Sequence, residues 1–316
     1  MKQTENGPLS TRNLLIFNGM VLLLLLGAAV NYGPRVFAIA AMSIAVGVPI
    51  ELIFKKIRGH ELDASLFTTP LVFALLVPSI APLWLVGIGS GFAVFFGKCI
   101  FGGLGKTVFN PALVGAIFVT VSFPVFMTTQ WLDPISGDVT DSIPVLQLHL
   151  GQDLTHSIPQ LLLGQVPGML GETFILLAFA LGMVLIALKI ADWRIPLAYL
   201  GSYFVLMAIG FLVFPEYQGT TMFVNPFYSL ITGGIVFAAF FLATDPATAP
   251  QNTLAKYYFG FGLAALTLII RTFGTFQEGY FFAIIIMNAV APLLDEWLNK
   301  NKSDAEENTQ EAEGSA

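Results

Sequence analysis

Apolar residues run along this chain in long blocks rather than in alternation. Ten segments, roughly 13–31, 36–54, 66–81, 82–98, 111–128, 172–190, 195–214, 227–244, 257–271 and 279–297, carry almost no charge and are separated by short polar, Gly- or Pro-bearing joints. A helix needs about 20 largely apolar residues to cross a bilayer, so the pattern predicts ten membrane-spanning helices. The third and fourth are short and meet at Pro78-Ser-Ile-Ala-Pro82. No small-residue cleavage site comes after the first, and Asn31-Tyr-Gly-Pro34 leads straight into the second, so the first reads as a span and not as a signal peptide.

Charge then orients the spans. With the N-terminus in the cytoplasm, twelve of the 14 Lys and Arg residues fall on that side and only Arg35 and Arg271 on the other. Such a bias sets topology, and ten spans return the C-terminus to the cytoplasm. The expected organisation is a cytoplasmic N-terminus (1–12), a first five-helix half (13–128), an external loop (129–171), a second five-helix half (172–297) and a cytoplasmic tail (298–316). The loop has no Lys or Arg but carries Asp133, Asp138, Asp141 and Asp153. The tail beyond Ser303 is acidic and without aromatics, and is expected to lack structure.

The two halves show traces of each other. Pro78-Ser-Ile-Ala-Pro82 recurs as Pro246-Ala-Thr-Ala-Pro250, an offset of 168, and Phe101-Gly102 recurs as Phe273-Gly274, an offset of 172. Each pair lies in the same order within a three-span block, one block beginning inside and the other outside. That is the pattern of an inverted-topology repeat, whose interface is the usual place for a site near the midplane. Chance matching of Pro and Gly in apolar sequence is the alternative. The expected fold is an all-α polytopic membrane protein of about ten helices in two inverted halves.

Composition excludes other classes. Hydrophobic residues make up 56% of the 316, charged residues 11%, and Phe alone numbers 29, with a mean hydropathy of +0.78. Soluble domains run near 25% charged, so a soluble enzyme and a disordered chain are excluded. A net charge of −6 argues against nucleic-acid binding. A single cysteine, Cys99, leaves no internal disulfide and no four-thiolate iron–sulfur or zinc site within this chain.

Few residues remain to carry chemistry. Phe101-Gly-Gly-Leu-Gly-Lys-Thr-Val-Phe-Asn-Pro111 joins the fourth and fifth spans. Gly102, Gly103 and Gly105 let backbone N–H groups approach a ligand, and Asn110 offers a donor and an acceptor. The turn lacks the spacing of a phosphate-binding loop, and a tight turn at the membrane boundary is the plain alternative. Asp245, in Thr244-Asp-Pro-Ala-Thr-Ala-Pro250, ends the eighth span. It either caps the next helix or lines an ion path, and Glu51, deeper inside the second span, is a further candidate for that path. Lys98, Glu172, Arg271 and Glu278 sit at span ends, where snorkelling accounts for most charges. His60, His149 and His156 show no metal-ligand spacing and read as surface residues.

Several of these stretches, in order, resemble a known family: Phe101 to Pro111, Ser122-Phe-Pro-Val-Phe-Met-Thr128, Gly164 to Glu172, Asp192-Trp-Arg-Ile-Pro-Leu197, Ala243 to Pro250 and Ile270-Arg-Thr-Phe-Gly274. They are similar to the D subunit of the Rnf electron-transport complex and to its relative, the B subunit of the Na+-pumping NADH:quinone reductase. The resemblance implies ten spans in two related halves. It also implies a subunit that relays electrons through flavin inside a cell-membrane complex and couples the transfer to Na+ or H+ movement, without being catalytic alone. In the family one FMN is esterified to a Thr in the first large external loop by a flavin transferase. A second flavin, riboflavin in the better-known relatives, sits among the spans, and partner subunits carry iron–sulfur and FMN centres.

The loop departs from the family's S-x-A-T-P-L. Anchoring on Pro144 puts Ile143 at the acceptor position, where no hydroxyl exists; a one-residue insertion aligns Ser136-Gly-Asp-Val-Thr140 instead and makes Thr140 the acceptor. Ser142 is a third candidate. Asp138 and Asp141 flank Thr140 and would repel a phosphate. A secondary transporter with inverted repeats, and a flavin-free structural or ion-conducting homologue, are the alternative functions.

Overall fold

The computed structural model describes residues 7–172, 174–214, 224–274, 276 and 278–314, with residues 301–314 as backbone only. The first half comprises α1 (Thr11–Tyr32), α2 (Arg35–Arg58), α3 (Ser65–Leu75), α4 (Leu83–Val94, running into a π turn at Phe95–Cys99), α5 (Pro111–Ser122) and the short α6 (Pro124–Thr128). The 129–171 loop holds a two-stranded hairpin, β1 (Trp131–Leu132) and β2 (Val139–Thr140), then α7 (Pro144–His149) and α8 (Ile158–Leu163). The second half comprises α9 (Ile175–Ala187), α10 (Arg194–Val213), α11 (Pro226–Leu230), α12 (Ile235–Phe237, running into a π turn at Ala238–Leu242), α13 (Thr253–Phe273) and α14 (Tyr280–Gly314).

Each predicted span contains helix. Among the described residues, five stretches are long and apolar enough to cross a bilayer unbroken: α1, α2, α10, α13 and the Tyr280–Lys300 part of α14. The others are shorter or broken, and local chemistry explains where. Gly33 (φ 77°) and Pro34 separate α1 from α2, Asn110 caps α5 through its Oδ1, and Asn252 caps α13. Pro124 breaks the fifth segment at Phe123, and Thr232-Gly-Gly234 breaks the eighth, with Gly233 at φ 68°. Against expectation, the acidic tail continues α14 as helix to Gly314. Its Ala, Glu, Gln and Lys are good helix formers, and a long helix already nucleated in the bundle extends cheaply.

The halves share one packing scheme. In the first, α2 packs against α3 and α4, and α4 against α5; in the second, α10 packs against α11 and α13, and α13 against α14. Broken helices leave backbone groups that a bilayer cannot satisfy. Here they satisfy one another: Gly171 N donates to Leu75 O at 2.8 Å and Leu170 N to Val77 O at 3.2 Å, so the end of α3 pairs with the segment that enters α9. Gly171 is required at this crossing, because a Cβ there would sit 2.8 Å from that of Leu75.

Both described ends of the chain lie on one face. Leu9 touches Gly105, and Asp295 of α14 accepts from the backbone of Gln251 and Asn252. The 129–171 loop covers the other face, where Tyr32 at the end of α1 donates to Val166 O at 2.6 Å. Leu22, Ile53, Leu197 and Phe261 stand exposed on the outer helix surfaces, as do Trp84 and Trp193 near helix ends and Trp297 near the end of the apolar part of α14. That is the belt of a lipid-facing protein.

Candidate functional site

On the terminal face, the π turn at Phe95–Cys99 inserts a residue into the last turn of α4 and aims Lys98 into the bundle, where it is 3% exposed. Its ammonium meets Glu51 Oε1 at 2.7 Å and Oε2 at 2.8 Å, and Ser65 O at 2.8 Å. Glu51 is fully buried, and Ser65 Oγ donates to it at 3.2 Å. Lys55, one turn further along α2, lies 3.6 Å from Glu51 and 2.8 Å from Asp63. Partial burial opposes charge on Asp63, but the Lys55 ammonium and the Ser65 hydrogen bonds hold its carboxyl below the usual range. Two acids and two amines make this cluster neutral.

Beside Lys98 a cavity of about 90 Å³ opens between the halves. Phe17, Val72 and Phe241 give it apolar walls, and Asn13, Thr107, Asn110 and Asp245 give it polar groups. Gly105 lines it at φ 75°; Gly102 and Gly103, also at positive φ, shape the turn but face Lys106 and Phe54 instead. Asn110 ties the site across the repeat: its backbone N donates to Asn288 Oδ1 at 3.1 Å, and its Nδ2 donates to Leu242 O at 3.4 Å. Asp245 is half-buried and accepts from Ala247 N at 3.0 Å, so it caps a local turn and lines the cavity at once. Glu51 does not line the cavity; it reaches it through Lys98.

The other face carries a second cluster with the same plan. Arg271, at the end of α13, is 7% exposed; its Nη1 donates to Ser229 O at 3.1 Å and to Tyr203 OH at 3.4 Å. Tyr203 OH and Ser229 Oγ are 2.7 Å apart. Lys98, Ser65 and Glu51 thus correspond to Arg271, Ser229 and Tyr203, taken from the fourth, third and second spans of each half, with α11 and α12 counted as one broken span. Arg271 Nη2 also reaches Thr232 O and Glu278 Oε2, both at 3.4 Å. Glu172 accepts from Met169 N at 2.8 Å and from Tyr280 OH at 3.4 Å.

These placements correct the snorkelling expectation. Lys98, Arg271, Glu172 and Glu278 are all under 9% exposed and point inward to partners. The sequence held one signal for this: Lys98 and Arg271 are 173 apart, within one of the offset that relates Phe101-Gly102 to Phe273-Gly274. Arg35, in contrast, is exposed and donates to the carbonyls of Ser79, Ile80 and Ala81.

In the loop, Thr140 pairs with Trp131 across the hairpin, is half-buried, and its Oγ1 accepts from Ser142 N at 3.1 Å. Asp138 and Asp141 beside it are exposed. Ile143 is 2% exposed and lines a separate cavity of about 20 Å³ with Glu172 and Glu278. His156 is not the free surface residue expected: its Nε2 lies 3.4 Å from Asp133 Oδ2, and little of its side chain is exposed.

Comparison with known proteins fixes the family. The model of the NQR2, RnfD, RnfE family matches residues 7–304. The chain belongs to this family. It is 36% identical over 261 residues to the B subunit of the Na(+)-translocating NADH-quinone reductase of Pseudomonas paraeruginosa, covering 78% of this chain and 63% of the relative. It is 35% identical over 266 residues to the D subunit of the ion-translocating oxidoreductase complex of Stutzerimonas stutzeri, covering 74% of each. Against the D subunit of the same complex in Alcanivorax borkumensis it is 32% identical over 284 residues, covering 80% of each. The chain therefore spans less than two thirds of the length of its relatives from the NADH-quinone reductase. As a member of the NQR2, RnfD, RnfE family it is a helical, multi-pass membrane protein.

Proposed function

We propose that this chain is the membrane subunit of an Rnf-type ion-translocating oxidoreductase, sited in the cell membrane with both termini cytoplasmic. It relays electrons through flavin and couples their passage to Na+ or H+ movement. The observation that carries the reading is the cavity between the halves, with aromatic walls, amide and hydroxyl groups, and the Asp245 carboxylate on one rim. A flavin ring needs such an apolar slot with a few polar contacts. The cavity, about 90 Å³, is smaller than the roughly 300 Å³ at which ligand sites begin, so it would enclose a flavin ring only in part. When bound, the flavin supplies carriage of one or two electrons. The chain's residues supply the rest: Asn110 and Thr107 orient, Phe17 and Phe241 exclude water, and Asp245 draws a cation to the rim. Oxidation of the electron donor falls to iron–sulfur and FMN-bearing partner subunits, since Cys99 is the sole cysteine.

Thr140 is the acceptor we assign for a covalent FMN attached by a flavin transferase. Its hydroxyl stands half-buried on the loop face, whereas Ile143 is buried and has none to esterify. Intact mass and in-gel fluorescence of the denatured chain, co-expressed with its flavin transferase, test this. A mass gain of FMN less water that maps to Thr140 is expected. An unmodified mass with a flavin released on extraction leaves only the non-covalent relay, and no flavin of either kind sinks the relay and favours a flavin-free conductor or a transporter.

Asp245 carries the ion-path part of the reading. Asp245→Asn keeps the shape and the turn-capping oxygen but removes the charge. Folded yield and flavin content are expected to stay at the parent level while ion transport by the assembled complex falls about tenfold, the effect of losing one contact of about 1.4 kcal/mol. Unchanged transport in vesicles would take Asp245 off the path.

A further inference from the structure

The cavity between the halves is too small for a whole ring system, and most of its wall cannot yield. Ser65, Thr69 and Val72 belong to α3, and Pro111 and Ala112 to α5, inside the helix packing of the first half. Lys98 is pinned by its contacts to Glu51 and Ser65, and Asn110 by its bonds to Asn288 and Leu242. One part of the lining is held differently. Pro8 and Leu9 line the cavity from residues 7–10, which lead into α1 at the terminal face.

The hydrogen bonds of this segment are local. Ser10 N donates to Gly7 O at 3.0 Å, and the Asn13 side-chain amide, in the first turn of α1, donates to Gly7 O at 3.2 Å and to Pro8 O at 3.5 Å. Ser10 Oγ accepts from Asn13 N at 3.4 Å and caps α1. Among the described residues, none of the segment's hydrogen bonds reaches the glycine turn across the mouth. What reaches it is one apolar side chain. Leu9 is half-buried, and its Cδ1 lies 3.1 Å from the position that a Cβ on Gly105 would take. Gly105, at φ 75°, leaves that seat open because it has no side chain. A side chain held on its seat by burial and dispersion alone separates at small cost. The Asn13 bonds lie at a partly exposed edge, where water replaces a lost partner.

We propose that residues 7–10 are a strap that closes the cavity at the terminal face and lifts off Gly105 to let a ring-sized ligand in and out. Closed, the site holds about 90 Å³, against the roughly 300 Å³ at which ligand sites begin. Lifted, it loses Pro8 and Leu9 from its wall while the helices and the cross-half bonds of Asn110 stay in place. That the ligand is a flavin rests on the function proposed above; the strap rests on the geometry alone.

Thiol accessibility of the purified full-length chain in detergent tests the strap without flavin. Cys99, 1% exposed, is replaced by Ala, and Thr69→Cys, at a position 6% exposed on the cavity wall, reports entry of a water-soluble thiosulfonate. Leu9→Ala empties the seat, and Gly105→Ala pushes a methyl group into it. Leu9→Ala is expected to speed labelling about fivefold, the effect of freeing part of one Leu side chain, and Gly105→Ala to speed it as well. Thr120→Cys, at a position 4% exposed on the loop side, is expected to label at its parent rate in both, which separates a lifted strap from a loosened bundle. An unchanged rate at residue 69 in both variants overturns the strap, and so does a rise at 69 matched by one at 120. Riboflavin is the separate arm. Protection of Thr69→Cys by added riboflavin supports flavin as the ligand behind the strap. Strap-dependent labelling that riboflavin does not slow would sink the flavin reading and leave the strap standing.

Discussion

Lys98→Met is expected to destabilise the purified chain by about 3–5 kcal/mol, the cost of leaving a buried ion without its partner. Glu51 is fully buried and takes its shortest contacts from Lys98, at 2.7 and 2.8 Å. Lys55 cannot replace that partner, because it sits 3.6 Å away and is engaged with Asp63 at 2.8 Å. The double variant Glu51→Gln/Lys98→Met is expected to recover most of the loss, since an uncharged pair of similar volume carries no uncompensated charge. Lys55→Met should cost less than Lys98→Met, as Asp63 is 12% exposed and can hydrate. Thermal unfolding in detergent checks all three. A Lys98→Met chain that melts with the parent, or a double variant no better than the single, would show that the pair does not hold α2 to α4.

Each signal in the sequence was legible as far as the property it measures. Hydropathy blocks marked the ten segments because lipid exposure is a property of whole helices. They marked the third and fourth segments as short but did not show that α5 and α9 also stop short, nor that extended backbone fills the missing length, as where Leu75–Pro78 pairs with Met169–Gly171. That pairing joins distant parts of the chain and depends on a glycine whose only mark in the sequence is the absence of a side chain. Single residues fared by context. Asn110 and Asp245 were legible because each stands in a turn motif, and the fold brings both to one cavity. Lys98 and Arg271 were misread because a cation at a span end looks the same whether it snorkels outward or turns inward; the π turn that rotates Lys98 inward has no sequence signature of its own. The acid pair Glu172–Glu278 was invisible for a simpler reason. Its members are 106 residues apart, near the two ends of the second half, and come to line one cavity only when that half folds.

Arg271→Lys should be the most damaging conservative change on the loop face. The guanidinium serves four acceptors from two nitrogens: Tyr203 OH, Ser229 O, Thr232 O and Glu278 Oε2. An ammonium has one nitrogen and three donors, so it cannot span acceptors placed on both sides of a planar group. Leaving two of them unpaired at about 1–3 kcal/mol each gives an expected loss of about 2–6 kcal/mol, read as a lower melting temperature in detergent; a chain as stable as the parent would show that the fork is not needed. The contrast with Lys98 has a structural origin. In the first half the buried cation meets its counter-charge on the second helix, Glu51, whereas in the second half that place is taken by Tyr203, which is neutral. Arg271 must therefore find its acid elsewhere, and Glu278 supplies it. At the offset of 173 that relates Lys98 to Arg271, Glu278 falls opposite Gly105. Where the loop face places a carboxyl, the terminal face places a residue without a side chain and opens the larger cavity. One shared plan thus yields a neutral ion pair beside an open pocket on one face and two buried acids near a single guanidinium on the other.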